Sequence, residues 1–192
     1  MKTRRHWLVR PTPGTRLLSA GIAALLVCSP KLRAVETAAT VTLGSDTAMA
    51  GGTVLIPIAL HAKEGMNIGS LSVEIPVPEK FLRLRAARTS LRAEMAGGEV
   101  KTEQVPSPNK AGFSILKVTV AAPKPLPNGV LATLEFRVAE DVGNASKIPL
   151  QSSRVTLTTV EGQTIADVGR KQGEVAVSKT PPTFVNCFFF TH

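Results

Sequence analysis

Tyrosine is absent from this 192-residue chain, tryptophan occurs once, cysteine twice and histidine three times. Trp7, His6 and Cys28 all fall in the first 34 residues, so the remainder holds only Cys187, His61 and His192 of these types. The scarcity removes most catalytic chemistry. A Ser-His-Asp or Cys-His arrangement needs an internal histidine, and His61 alone is available, in what reads as a loop just after a strand. Zinc needs several His, Cys or carboxylate ligands at suitable spacing, and none is visible. A glycine-rich phosphate loop is also missing. The carboxylates sit among basic neighbours or in turns, as solvated residues do, rather than as a pair for glycoside hydrolysis. Glu140, Asp141 and Asn144 could ligate calcium, with a plain polar turn as the simpler reading. No enzyme, no metal site and no cofactor are therefore expected, and a single cysteine after residue 34 excludes an internal disulfide there.

Acidic residues are missing from the first 34 positions, which carry seven basic ones: Lys2, Arg4, Arg5, Arg10, Arg16, Lys31 and Arg33. The formal net charge of +9 is mostly theirs, since the rest of the chain has 16 basic residues against 14 acidic. A nucleic-acid partner is not expected from so balanced a remainder. The opening instead has the layout of an export signal: a basic start, an apolar run from Leu17 to Cys28, then a polar segment with small residues. That run is too short to span a bilayer. Cleavage points follow Ala34 or Ala39. Thr3-Arg4-Arg5-His6-Trp7-Leu8-Val9 resembles the twin-arginine export pattern, and an ordinary basic opening explains the same residues equally well. Residues 1–34 are thus read as a signal peptide, 35–180 as one domain that is secreted, extracellular or periplasmic, and 181–192 as an aromatic tail after a proline break.

Helical periodicity is almost absent from the domain, and alternation takes its place. Ala50 to Leu60 (AGGTVLIPIAL) is a turn leading into the longest apolar strand. Its residues Val54, Ile56, Ile58 and Leu60 share one face, while Pro57 on the other predicts a sheet edge or an irregularity. Strands are also expected at Ala39 to Leu43, Ile68 to Pro76, Phe81 to Ala87, Glu99 to Val105, Gly112 to Ala121, Val130 to Val138, Lys147 to Leu157 and Gly173 to Val177. Pro76, Pro78 and Glu79 read as a break, and Ser90 to Ala96 as one helical turn stopped by Gly97-Gly98. Val130, Ala132, Leu134, Phe136 and Val138 form one apolar face. The core is expected to hold Val54, Ile56, Ile58, Val73, Leu116, Val118, Leu134 and Phe136, with Phe81 and Phe113 also inside. Nine short strands with turn signals between them predict an all-β fold, a nine-stranded antiparallel β-sandwich.

The order of these features resembles the cohesin domain, a secreted jelly-roll sandwich that binds dockerin modules. AGGTVLIPIAL is similar to the family's second strand, "PGDTVTVPV". Ile68 to Ile75 (IGSLSVEI), Leu82 to Leu84 and Asn128 to Val138 (NGVLATLEFRV) are similar to its third, fourth and seventh strands. The resemblance covers Val41 to Val177, and the family's "YDP" corner is here Pro76-Val77-Pro78. It implies jelly-roll topology and a dockerin-like or other extracellular protein partner, docked on the sheet of the eighth, third, sixth and fifth strands. Alternation then turns Ser70, Ser72 and Glu74 outward on the third strand, Ile115, Lys117 and Thr119 on the sixth, and Lys101 and Glu103 on the fifth, with Ile115 as the one apolar anchor. The alternative is a carbohydrate-binding module associated with polysaccharide degradation. Such modules stack sugar rings on exposed Trp or Tyr, which this domain lacks.

Overall fold

The computed structural model describes residues 37–179, so the readings of an export signal at 1–34 and of a tail at 181–192 lie outside the described residues. Within them the chain forms twelve strands and one helical turn, in the order β1 (Ala39–Leu43), β2 (Asp46–Met49), β3 (Thr53–Ala62), β4 (Ile68–Pro78), β5 (Leu82–Thr89), α1 (Leu91–Met95), β6 (Glu99–Pro106), β7 (Phe113–Ala121), β8 (Gly129–Val138), β9 (Lys147–Leu150), β10 (Arg154–Thr159), β11 (Val168–Lys171) and β12 (Gly173–Ser178). A five-stranded sheet, β11-β1-β3-β8-β5, packs on a four-stranded sheet, β10-β4-β7-β6, and a smaller sheet, β2-β12-β9, closes the structure. The all-β sandwich holds. All eight expected core residues from Val54 to Phe136 are buried, and they belong to one apolar cluster fed by both large sheets.

The strand list differs from the expected nine at three places. Lys147 to Leu157 is two strands, broken at Gln151 to Ser153, with β9 in the small sheet and β10 beside β4. β2 and β11 are the other additions, and both lie in parallel pairs: β1 with β11, and β2 with β12. The sheets are therefore not purely antiparallel. These two pairs are one ribbon that turns a corner between sheets. At the corner the backbones of Gly44 and Gly173 touch so closely that a Cβ on Gly173 would lie 1.9 Å from the Gly44 carbonyl oxygen. Only glycine fits there.

β3 is not an edge strand, because β1 pairs on one side and β8 on the other. Pro57 is tolerated because β1 ends opposite it: the last pair is Leu43 with Ile58, and beyond it the Pro57 carbonyl accepts from the Gly44 N–H at 2.8 Å. In an antiparallel strand a residue's N and O point the same way. The missing donor of Pro57 therefore faces the point where pairing runs out. The expected irregularity is real, and it sits on the opposite side, in β8. Ile58 pairs with Ala132 but Ala59 with Val130, which leaves Leu131 as an extra residue. This bulge reverses the apolar face at its start. Leu131 is fully buried, whereas Val130, expected in the core, is 40% exposed.

The expected break at Pro76 to Pro78 is instead continuous strand, with Pro76 opposite Ile115 and Pro78 opposite Phe113. Glu74 turns its carbonyl toward the β10 side, accepting from the Ser153 N–H at 2.8 Å. By alternation Pro76 and Pro78 face that same side, beyond the first residue of β10, where no ladder donor is needed. His61, expected in a loop, lies in β3 opposite Thr40 and is exposed. The helical turn is capped as its sequence suggests: the Ser90 hydroxyl accepts from the Ala93 N–H at 3.3 Å, and Gly97 follows with a φ of 77°.

Candidate functional site

The four-stranded sheet presents its outer face as rows of side chains running across the strands. Register decides which residues share a row. Thr158, Ser70, Ala121 and Glu99 form the first, and Thr156, Ser72, Thr119 and Lys101 the second. Arg154, Glu74, Lys117 and Glu103 form the third, and Pro76, Ile115 and Val105 the fourth. The sequence-derived candidates Ser70, Ser72, Glu74, Lys101, Glu103, Ile115, Lys117 and Thr119 thus lie together on one face. The reason is local. Leu71, Val73 and Ile75 on β4, and Leu116, Val118 and Val120 on β7, are buried. Period-two geometry must then turn the intervening residues outward.

The chemistry of the rows changes along the strands. The first two are hydroxyl-rich: Ser70 and Thr158 share a hydrogen bond between their hydroxyls, and Thr119 donates to Ser72 at 3.4 Å. The third alternates in sign across all four strands, so the face carries charge without net charge. Its fourth row is apolar. Ile115 is not the lone anchor expected, because Val105, 44% exposed, and Pro76 flank it. Reading Pro76 as a break hid this row. Only the continuity of β4 places it beside Ile115.

The apolar row runs on into a cleft of about 440 Å³ lined by Pro76, Pro78, Phe81, Phe113, Ile148 and Pro149, with Lys110 and Lys147 at its rim. Phe81 and Phe113, expected in the core, are only half-buried and line this cleft. Each ring carries an ammonium group, Lys80 at 5.6 Å from the Phe81 centroid and Lys110 at 3.7 Å from that of Phe113. Lys147 is held by Glu174 at 2.9 Å.

Elsewhere the polar residues singled out in the sequence serve the fold. Asp141 Oδ1 accepts from the Gly143 N–H at 2.9 Å, making a turn, and Glu140 pairs with Arg137 at 3.6 Å. The described residues contain no group of three or more His, Cys, Asp or Glu placed to hold a metal ion. No helix among them is long and apolar enough to cross a membrane.

No protein-family model matches the chain, and no curated protein matches its sequence. Solved structures do match. A cohesin crystallised in the complex Coh-OlpA-Doc918 from Clostridium thermocellum aligns at TM-score 0.60 and 15% identity, over 74% of this chain and all of that one. The fold is that of cohesins. A second cohesin, the third of ScaC in complex with the ScaB dockerin from Acetivibrio cellulolyticus, aligns at TM-score 0.59 and 20% identity, over 72% of this chain and 98% of that one. The non-cellulosomal cohesin of the archaeon Archaeoglobus fulgidus aligns at 0.56 and 16%, over 73% and 91%. At 15–20% identity these likenesses show the fold and carry no residue across one by one.

Proposed function

We propose that this chain is an extracellular, non-catalytic binding module that takes a dockerin-like protein on the outer face of β10-β4-β7-β6. The observation that carries the reading is the fourth row. Half-buried Pro76 and Ile115 and exposed Val105 form an apolar strip at the surface beside a charge-alternating row, which fits a protein interface with an apolar anchor and a polar surround. A stable interface needs roughly 800 Å² per partner, which calls for the whole face. Support also comes from cohesin-fold neighbours that were crystallised with dockerins. Export fits the same reading, with residues 1–34 as the signal and cleavage after Ala34 or Ala39.

The test is capture of purified dockerin modules by the immobilised chain. Ile115→Asp is expected to abolish capture while leaving the circular dichroism unchanged. Capture that survives this change but fails on substitution of Lys63 and Glu64 would move the site to the loop end of the sandwich. Mass spectrometry of exported protein should find an N-terminus at Val35 or Thr40, and an intact Met1 on exported material would overturn the signal reading. Loss of export on joint Arg4→Lys and Arg5→Lys substitution would specify the twin-arginine route. A polysaccharide ligand finds less support. The described residues contain neither Trp nor Tyr, and the Phe113 ring that could stack a sugar is covered by Lys110.

A further inference from the structure

Among the described residues β6 is the outer strand of the four-stranded sheet, with β7 on one side only, and seven of its eight residues are exposed. Its open edge has a definite hydrogen-bonding pattern. The Val100 N–H donates to Thr89 Oγ1 at 3.1 Å, away from β7, while the Ser107 N–H just beyond the strand donates back to the Phe113 carbonyl at 2.9 Å. The β6–β7 register runs without a break from Glu99 to Pro106. Alternation therefore points the N–H and C=O of Thr102 and Gln104 outward, together with the C=O of Val100. Pro106 has no donor, which limits the usable edge to residues 100–104.

Charges on an edge strand ordinarily deter pairing. Here their spacing makes the edge complementary to itself. We propose that β6 pairs antiparallel with β6 of a second copy of this chain, about a two-fold axis at Thr102. In that register the two Thr102 residues exchange hydrogen bonds, and Gln104 of each copy donates to the Val100 carbonyl of the other. Lys101 then stands directly opposite Glu103 of the second copy, and Glu103 opposite its Lys101. Both are non-hydrogen-bonded pairs, the class in which side chains approach most closely. Shifting the axis to residue 103 would set Glu103 against Glu103, and shifting it to 101 would set Lys101 against Lys101. Electrostatics thus selects one register of three. None of the ion pairs among the described residues uses Lys101 or Glu103. The alternating row Arg154, Glu74, Lys117, Glu103 would continue in sign onto Lys101 of the second copy, joining two four-stranded sheets into one of eight.

Sedimentation equilibrium of the chain over a concentration series tests the proposal, with amide hydrogen exchange as a second readout. The wild type is expected to show a reversible, salt-weakened monomer–dimer equilibrium, with the Thr102 and Gln104 amides slowing as concentration rises. Lys101→Glu alone and Glu103→Lys alone should each weaken the dimer at least tenfold, and the double exchange should restore it. A wild type that stays monomeric into the millimolar range would overturn the proposal, as would a dimer indifferent to Lys101→Glu. That variant is decisive for register, because with the axis at residue 103 Lys101 would face Val105 and reversing its charge would matter little.

Discussion

Substituting Leu131 and Val130 one at a time tests whether the bulge in β8 is real, and the two outcomes separate cleanly. Unbroken alternation through β8 would bury Val130 and expose Leu131. With the bulge, Leu131 is fully buried and Val130 is 40% exposed. Leu131→Ala should then cost the lost apolar transfer plus a residual cavity, about 3 kcal/mol within the usual range of roughly 2–5. For a domain of this size that lowers the Tm by roughly 6–12 °C. Val130→Ala changes only β-propensity and a partly solvated contact, and should stay below about 1 kcal/mol. Urea unfolding followed by tryptophan fluorescence is unsuitable, because the described residues contain no tryptophan, so far-ultraviolet circular dichroism is the probe. The midpoint should move for Leu131→Ala with no change in slope. A larger loss for Val130→Ala would refute the bulge and restore the simple period-two face.

Three further outcomes follow from named contacts. Gly173→Ala should destabilise by at least about 3 kcal/mol, because its Cβ meets backbone at the corner, while Gly65→Ala, at a φ of 85° in open space, should cost only about 1–2 kcal/mol; thermal denaturation of the two compares clash with strain. Asn128→Ala removes a side-chain amide that accepts from the Ala62 N–H at 2.7 Å and donates to the Ala62 carbonyl at 3.0 Å, and should cost roughly 1–2 kcal/mol with faster exchange of the Ala62 amide. Phe136→Ala should cost about 3–5 kcal/mol and Glu135→Ala under about 1, since the Glu135 carboxylate pairs with the well-exposed Arg88 at 3.6 Å; denaturant midpoints decide.

Alternation made β3, β4, β7 and the second half of β8 legible, because each buries one face against the opposing sheet and leaves the other in water. It failed where geometry departs from period two. At the start of β8 two apolar residues, Val130 and Leu131, stand side by side, and nothing local says which of them points inward. β2 and β11 are short and find their partners in parallel, across most of the chain, so no hairpin turn announces them. The edge alternative for Pro57 and the break at Pro76 fail for a common reason: proline excludes a donor on one side only, and the side depends on where the neighbouring strand ends. The outward faces of the candidate site could be read from alternation, but the order of its strands came from family resemblance. The apolar row exists because β4 passes through Pro76 and sets it beside Ile115.

The ribbon at the corner has a mechanical consequence. β1 and β2 enter the domain at its beginning, β11 and β12 leave it at its end, and the two segments run parallel in one register from Ala39 beside Val168 to Met49 beside Ser178. Tension applied to the two ends of the domain acts in opposite directions along this ribbon. It loads the ladder in shear, so the hydrogen bonds on both sides of the corner must give way together. An antiparallel terminal pair would peel open one bond at a time. Gly44 and Gly173 keep the ladder in register as it crosses between sheets, so a load on one half of the ribbon is carried by the other.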